Sequence, residues 1–273
     1  MSQPSIAPVE SNAASVAKLA ERARAASRAV AKLSADQRNE VLLAAAHAIE
    51  NSASRILEAN SRDCRAAETS VAAGKMSSAM LARLRVSERG ILQMAKQVRE
   101  VAGLSDPLGK RLTVTELDSG LVLIKESCPL GVVGVIFESR PDVVPQLASL
   151  GLKSGNAVIL KGGSEAAATN EILVTIWRET VAKFPRVPED SIILLQTRAD
   201  VLDLLAQDQN VDLIIPRGSY ELVHYVMQHS RIPVLGHGEG VCHVYVDRAA
   251  YLEKAVAISY DAKVQYPAVC NAA

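Results

Sequence analysis

From Gly131 onward, short apolar runs alternate with helical stretches, and this alternation limits the possible folds more than any other feature of the chain. The runs are Val132–Phe137, Ala157–Leu160, Ser191–Leu195, Leu213–Ile215 and Val241–Val246, each of strand length. Between them lie helical patterns, clearest over Ala167–Lys183, Val201–Gln207, Tyr220–Gln228 and Leu252–Tyr260. Strands separated by helices pair in parallel, because a parallel connection has to cross over the sheet. The expectation is an α/β fold, a parallel sheet with helices on both faces. Such sheets bind ligands outside the carboxyl ends of their strands, so chemistry is sought in the loop after each strand.

The first hundred residues read as helices. Val16, Leu19, Ala23, Ala26, Val30 and Leu33 recur at steps of three and four and make one apolar stripe. Ser34-Ala-Asp-Gln37 has the form of a capping box, which starts a second helix near Ala35 with Val41, Leu42, Ala45 and Ile49 turned inward. Between Arg111 and Ser127 the texture changes to β-rich residues around Asp118-Ser-Gly120, the pattern of a hairpin.

Composition excludes some functions. Thirty basic and thirty acidic residues cancel, which argues against nucleic-acid or membrane-surface binding driven by bulk charge. No apolar run approaches the ~20 residues of a membrane helix, and the first residues lack a signal-peptide pattern. Cys64, Cys128, Cys242 and Cys270 are widely spaced with no CxxC pair, so neither disulfides nor a metal site is expected, and a reducing cytoplasm is the expected location.

The loops after the strands carry the candidates. Arg140 in Glu138-Ser139-Arg140-Pro141 suits a phosphate or carboxylate; its plain alternative is an ion pair with Glu138 or Asp142. Lys161-Gly-Gly-Ser-Glu165 leads into a helix, where glycines admit close approach, Lys161 adds charge, and Ser164 and Glu165 either cap the helix or meet a ligand. Pro216-Arg-Gly-Ser219 also precedes a helix and is weak evidence alone. No GxGxxG follows any strand. In Gly236-His-Gly-Glu-Gly240, His237 and Glu239 are acid–base candidates against a structural reading, and His243 reads as a packed strand residue. Cys270, near the end of Tyr266-Pro-Ala-Val-Cys-Asn-Ala-Ala273, is a candidate nucleophile or a structural thiol.

Five stretches together resemble the γ-glutamyl phosphate reductases, a family of the aldehyde dehydrogenase superfamily. They are Pro129-Leu-Gly-Val-Val-Gly-Val-Ile-Phe-Glu-Ser-Arg-Pro141, Lys153-Ser-Gly-Asn-Ala-Val-Ile-Leu-Lys-Gly-Gly-Ser-Glu165, Asp212-Leu-Ile-Ile-Pro-Arg-Gly-Ser219, Ile232-Pro-Val-Leu-Gly-His237 and Tyr266-Pro-Ala-Val-Cys-Asn-Ala272. The resemblance runs in order over nearly the whole chain. It implies NADPH-dependent reduction of γ-glutamyl phosphate to glutamate 5-semialdehyde and phosphate, in proline biosynthesis, through a thioester on Cys270. It implies that Lys161, Ser164 and Glu165 line the adenosine ribose and that Gly218 and Ser219 approach the pyrophosphate. Ser139 falls where many aldehyde dehydrogenases carry an oxyanion-stabilising Asn, and Arg140 is the substrate contact it suggests. Its other implications are a small-molecule substrate, a homo-oligomer and association with glutamate 5-kinase. Another acylating aldehyde dehydrogenase, or an inactive nucleotide-binding remnant, are the competing readings.

The expected organisation follows that family: residues 1–110 as a helical part of the cofactor domain, 111–128 as a hairpin oligomerisation arm, 129–260 as a Rossmann-like NADPH-binding domain and 261–273 as the start of a catalytic domain. Family members continue well past the cysteine. The chain is therefore expected to lack most of the catalytic domain and to be inactive and poorly soluble by itself.

Overall fold

The computed structural model describes residues 13–138, 140–236 and 241–265. The chain divides into two compact units, Met1–Gly236 and His237–Ala273.

The first unit opens with helices α1 (Ala13–Val30), α2 (Ala35–Asn51), α3 (Ala53–Ala72), α4 (Ser78–Leu84) and α5 (Glu88–Gly103). The stripe on α1 is buried through Val16, Ala20, Ala23, Ala26 and Val30. The capping box forms: Gln37 N–H donates to Ser34 Oγ at 3.2 Å, and Ser34 N–H donates to Gln37 Oε1 at 2.9 Å. The hairpin strands β1 (Arg111–Asp118) and β2 (Leu121–Glu126) pair antiparallel, with Gly120 at φ +77 in the turn. Every residue of both strands is exposed, including Leu112, Val114, Leu121, Leu123 and Ile124.

The alternating region then builds β3 (Val132–Phe137), α6 (Val143–Lys153), β4 (Ala157–Lys161), α7 (Ala167–Val181), β5 (Ile192–Leu195), α8 (Ala199–Leu205), β6 (Leu213–Arg217) and α9 (Tyr220–His229). The sheet is parallel, in the order β5-β4-β3-β6. Beyond β6 the chain bridges once more: Ile214 N–H donates to Pro233 O at 2.9 Å and Leu235 N–H to Ile214 O at 2.8 Å. All of β3 and β4 is buried, as their unbroken apolar composition requires when both faces are covered. Period-two geometry splits β3 between two cores. Val133, Val135 and Phe137 pack with α2, α5, α6 and α7 on one side. Val132 and Ile136 pack with α1, α8 and β6 on the other.

Two fork-shaped ion pairs clamp α1 to this sheet. Arg22 meets Asp190, just before β5, at 2.7 and 2.8 Å. Arg24 meets Asp212, just before β6, at 2.7 and 2.9 Å, and Asp212 Oδ2 also accepts Val132 N–H at 2.7 Å. On the opposite core, two buried cations fix the root of the hairpin. Arg38 Nη2 donates to Asp106 Oδ2 at 2.6 Å. Lys153 Nζ donates to Ala102 O at 2.8 Å and Asn39 Oδ1 at 2.7 Å, and burial lowers its pKa.

In the second unit, α10 (Leu252–Val264) has no buried residue. The strand expected over Val241–Val246 is not formed, and His243, expected inside it, is exposed. A strand exists only where a neighbour takes up its N–H and C=O groups, and no described residue pairs with this segment. Among the described residues, no helix is long and apolar enough to cross a membrane.

Gly131 enters β3 at φ +122, and a Cβ there would lie 2.2 Å from Asp212 Oδ2 and 2.8 Å from Arg24 Nη1. Gly131→Ala therefore combines backbone strain with a broken clamp and should lower the unfolding free energy by about 2–4 kcal/mol in urea titration.

Candidate functional site

Strand register brings the candidate loops together. Ile136 pairs with Lys161 on one side and with Pro216 on the other. With strands ~4.8 Å apart, the ends of β4 and β6 lie about 10 Å from each other across β3. The chain steps outward from β3 to β4 to β5, then returns past β3 to β6. The direction reverses between β3 and β6, which makes that gap the switch point where open α/β sheets form their ligand crevice.

At the end of β4, Lys161 is 7% exposed, and its Nζ donates to Gly162 O. Burial pushes its pKa down; Glu165 and Asp200 oppose that shift and Arg198 adds to it. Ser164 and Glu165 lie in a 3-10 turn, Ser164–Ala166, and Ser164 makes no capping bond to α7. The cap comes instead from Asp63 on α3. Its Oδ1 accepts Ala168 N–H at 3.1 Å, and its Oδ2 accepts Thr169 N–H at 2.8 Å and Thr169 Oγ1–H at 2.6 Å. The positive end of α7 is thus already neutralised by a buried carboxylate from α3, and not by the Ser164 cap that the sequence offered.

The glycines also differ from expectation. A Cβ on Gly162 would meet Asn170 Nδ2 at 2.2 Å, and one on Gly163 would meet Glu165 Oε1 at 2.0 Å. Both glycines make room for the protein's own side chains.

After β6, Ser219 caps α9 by accepting Leu222 N–H at 3.4 Å. Its own N–H donates to Glu138 Oε2 at 3.0 Å, and a Cβ on Gly218 would lie 2.5 Å from that same oxygen. Glu138, from the end of β3, therefore seats a carboxylate on the turn that opens α9. Arg140 is half exposed and stands 3.6 Å from Asp142, the plain ion-pair reading of the sequence. Ser139, His237, Glu239 and Cys270 lie outside the described residues.

One sheet edge thus gathers an ammonium, two carboxylates and a helix start that holds an anion. Lys161 offers a cation and Glu165 a carboxylate at this end of the sheet, while the Gly218–Ser219 turn already holds Glu138. Reading the sequence missed Asp63, which stands 105 residues from the helix it caps. It also missed the bond from Glu138 to Ser219, although both residues stand in loops it singled out.

Comparison with known proteins agrees with this architecture. The sequence model of the aldehyde dehydrogenase family matches residues 3–268. A gamma-glutamyl phosphate reductase of Natronomonas pharaonis is 51% identical over 252 residues, covering 92% of this chain and 57% of that protein. The one from Cyanothece sp. is 50% identical over 255 residues, covering 93% and 58%. The crystal structure of gamma-glutamyl phosphate reductase from Thermotoga maritima superposes with a TM-score of 0.87 at 33% identity, over 94% of this chain and 62% of that one. The chain spans somewhat over half the length of these relatives.

Lys161 offers a test of the electrostatics at this edge. Its folded pKa lies below the unfolded value, so the unfolded state binds more protons between the two, and stability rises with pH through that window. Lys161→Met should raise the melting temperature by roughly 2–4 °C at pH 7. The gap should narrow as pH approaches 10, as followed by calorimetry at both pH values.

Proposed function

The chain belongs to the aldehyde dehydrogenase family, and we propose that it serves as a γ-glutamyl phosphate reductase. The reaction is NADPH-dependent reduction of γ-glutamyl phosphate to glutamate 5-semialdehyde with release of phosphate, a step of proline biosynthesis in the cytoplasm. The observation that carries this reading is the 51% identity, over 92% of the chain, to a relative bearing that name. Gathering of Lys161, Glu165, Gly218 and Ser219 along one sheet edge supports it.

The proposed roles follow from the chemistry. The Cys270 thiolate attacks the acyl phosphate carbon, forming a C–S bond as phosphate leaves with the electrons of the C–O bond. Covalent capture divides one difficult displacement into two easier steps. When bound, the reduced dinucleotide supplies the hydride that converts the thioester to the aldehyde oxidation level. Collapse then breaks the C–S bond and returns the thiolate. Lys161 and Glu165 hold the adenosine ribose, and the Gly218–Ser219 turn takes the pyrophosphate as Glu138 withdraws. Ser139 and Arg140 face the acyl phosphate, and the active form is a homo-oligomer. A sulfur nucleophile and a phosphate leaving group require no metal.

The experiment is the reverse reaction in the full-length protein: phosphate-dependent reduction of NADP with glutamate 5-semialdehyde. Activity should require inorganic phosphate and disappear in Cys270→Ser, while NADPH affinity stays within about threefold, a change under 1 kcal/mol. Turnover supported by coenzyme A in place of phosphate would point to another acylating dehydrogenase. Lys161→Met should weaken NADPH more than NADH in fluorescence titration; equal weakening would remove the 2′-phosphate contact.

A further inference from the structure

A second concavity opens beside the β3–α6 loop. It measures about 190 Å³ and lies between the start of α5 and Pro141–Asp142. That volume is below the ~300–1,000 Å³ of pockets for drug-sized ligands. It cannot seat a dinucleotide, but it has room for the head group of a small metabolite.

Its walls carry one charge of each sign. These are Arg85 and Asp142, and Gln93 and Gln97 share the lining with them. Met94, 3% exposed, adds an apolar surface. Ser87, also in the wall, caps α5 by accepting Gly90 N–H at 3.1 Å, so the positive end of that helix borders the cavity. Gln146 Nε2 donates to Gln97 Oε1 at 3.1 Å and steadies its amide.

Both charges are available to a ligand. Arg85 Nη2 pairs with Glu68 Oε1 at 3.0 Å, but these side chains are 61% and 53% exposed. Asp142 meets Arg140 at 3.6 Å, beyond hydrogen-bond length. Exposed pairs of this kind contribute ~0–1 kcal/mol, so either partner can turn to a ligand with little loss. A cation and a carboxylate in one lining, together with amides and a short apolar surface, match a zwitterion carried on a methylene arm.

We infer that this cavity seats the α-amino-acid head of the glutamyl substrate, with Arg85 binding its α-carboxylate and Asp142 its α-ammonium. The inference rests on the glutamyl reading proposed above and names the residues that would give it specificity. Asp142 lies in the loop that leaves β3, so the chain itself joins this cavity to the crevice edge. A head group held here directs its side chain away from the two charges and leaves the γ-carbon free for reaction.

Calorimetric titration of the full-length protein with four probes tests this directly: L-glutamate, glutarate, 4-aminobutyrate and L-alanine. L-glutamate should bind roughly tenfold tighter than glutarate, which lacks the ammonium, and than 4-aminobutyrate, which lacks the α-carboxylate. Asp142→Asn should abolish the preference over glutarate, and Arg85→Gln the preference over 4-aminobutyrate. Arg85 is exposed and Asp142 partly buried, and an unchanged melting temperature in each variant separates lost recognition from lost folding. Absence of saturable L-glutamate binding, or wild-type preferences in both variants, would overturn the assignment. L-alanine binding as tightly as L-glutamate would uphold the head-group cavity while removing its support for a glutamyl substrate. Failure of the glutamyl reading alone is therefore distinguishable from failure of the cavity.

Discussion

Both faces of the four-stranded sheet are buried, and most of what the first unit can do follows from that. A parallel ladder needs crossover connections, and the crossovers lay helices over each face. Ligands then reach the strands only at their ends. At the amino ends the space is filled by structure, since Arg24, Asp212 and the Val132 N–H close against one another within 3 Å. At the carboxyl ends, the described loops carry Lys161, Glu165, Glu138, Gly218 and Ser219.

Much of this was legible in the sequence where the signal is local. Val132–Phe137 and Ala157–Lys161 have no polar face to show because both sides are buried, and an unbroken apolar run is how such strands read. The capping box at Ser34 and the hairpin turn at Gly120 involve contacts within a few residues. What stayed hidden depends on pairing at long range. Nothing in Ser164-Glu165-Ala166 reveals that α7 is capped from α3, because the capping carboxylate belongs to Asp63. Gly162 and Gly163 advertise close approach but not by what; Asn170 and Glu165 fill the space. Val241–Val246 has strand composition, yet composition cannot supply an edge to pair with. Of the candidate site, Lys161, Ser164, Glu165, Gly218 and Ser219 meet at one edge. Ser139 and Cys270 fall outside the described residues, so their roles rest on resemblance to the family.

The root of the hairpin illustrates how buried charge is tolerated. Arg38 and Lys153 are almost fully enclosed, and only Asp106 offers them a full negative charge. Lys153 is further compensated by Asn39 Oδ1 and by Ala102 O at the negative end of the α5 dipole, while Nε and Nη1 of Arg38 have no hydrogen-bond partner among the described residues. The exposed apolar arm departs from the core beside these groups, and neither of its faces packs against that core.

Glu138 gives the Gly218–Ser219 turn a property that an empty anion seat would lack. In the role proposed above, an arriving phosphate would not add charge to a bare helix end; it would trade places with a carboxylate already hydrogen-bonded there. In an exchange of like for like, the long-range attraction felt by the newcomer is largely cancelled by the resident it displaces. Discrimination at this turn then falls to the number and angle of hydrogen bonds, which ionic strength hardly touches. With that role, the turn would select by the shape of the anion and stay indifferent to the many small anions that share its sign.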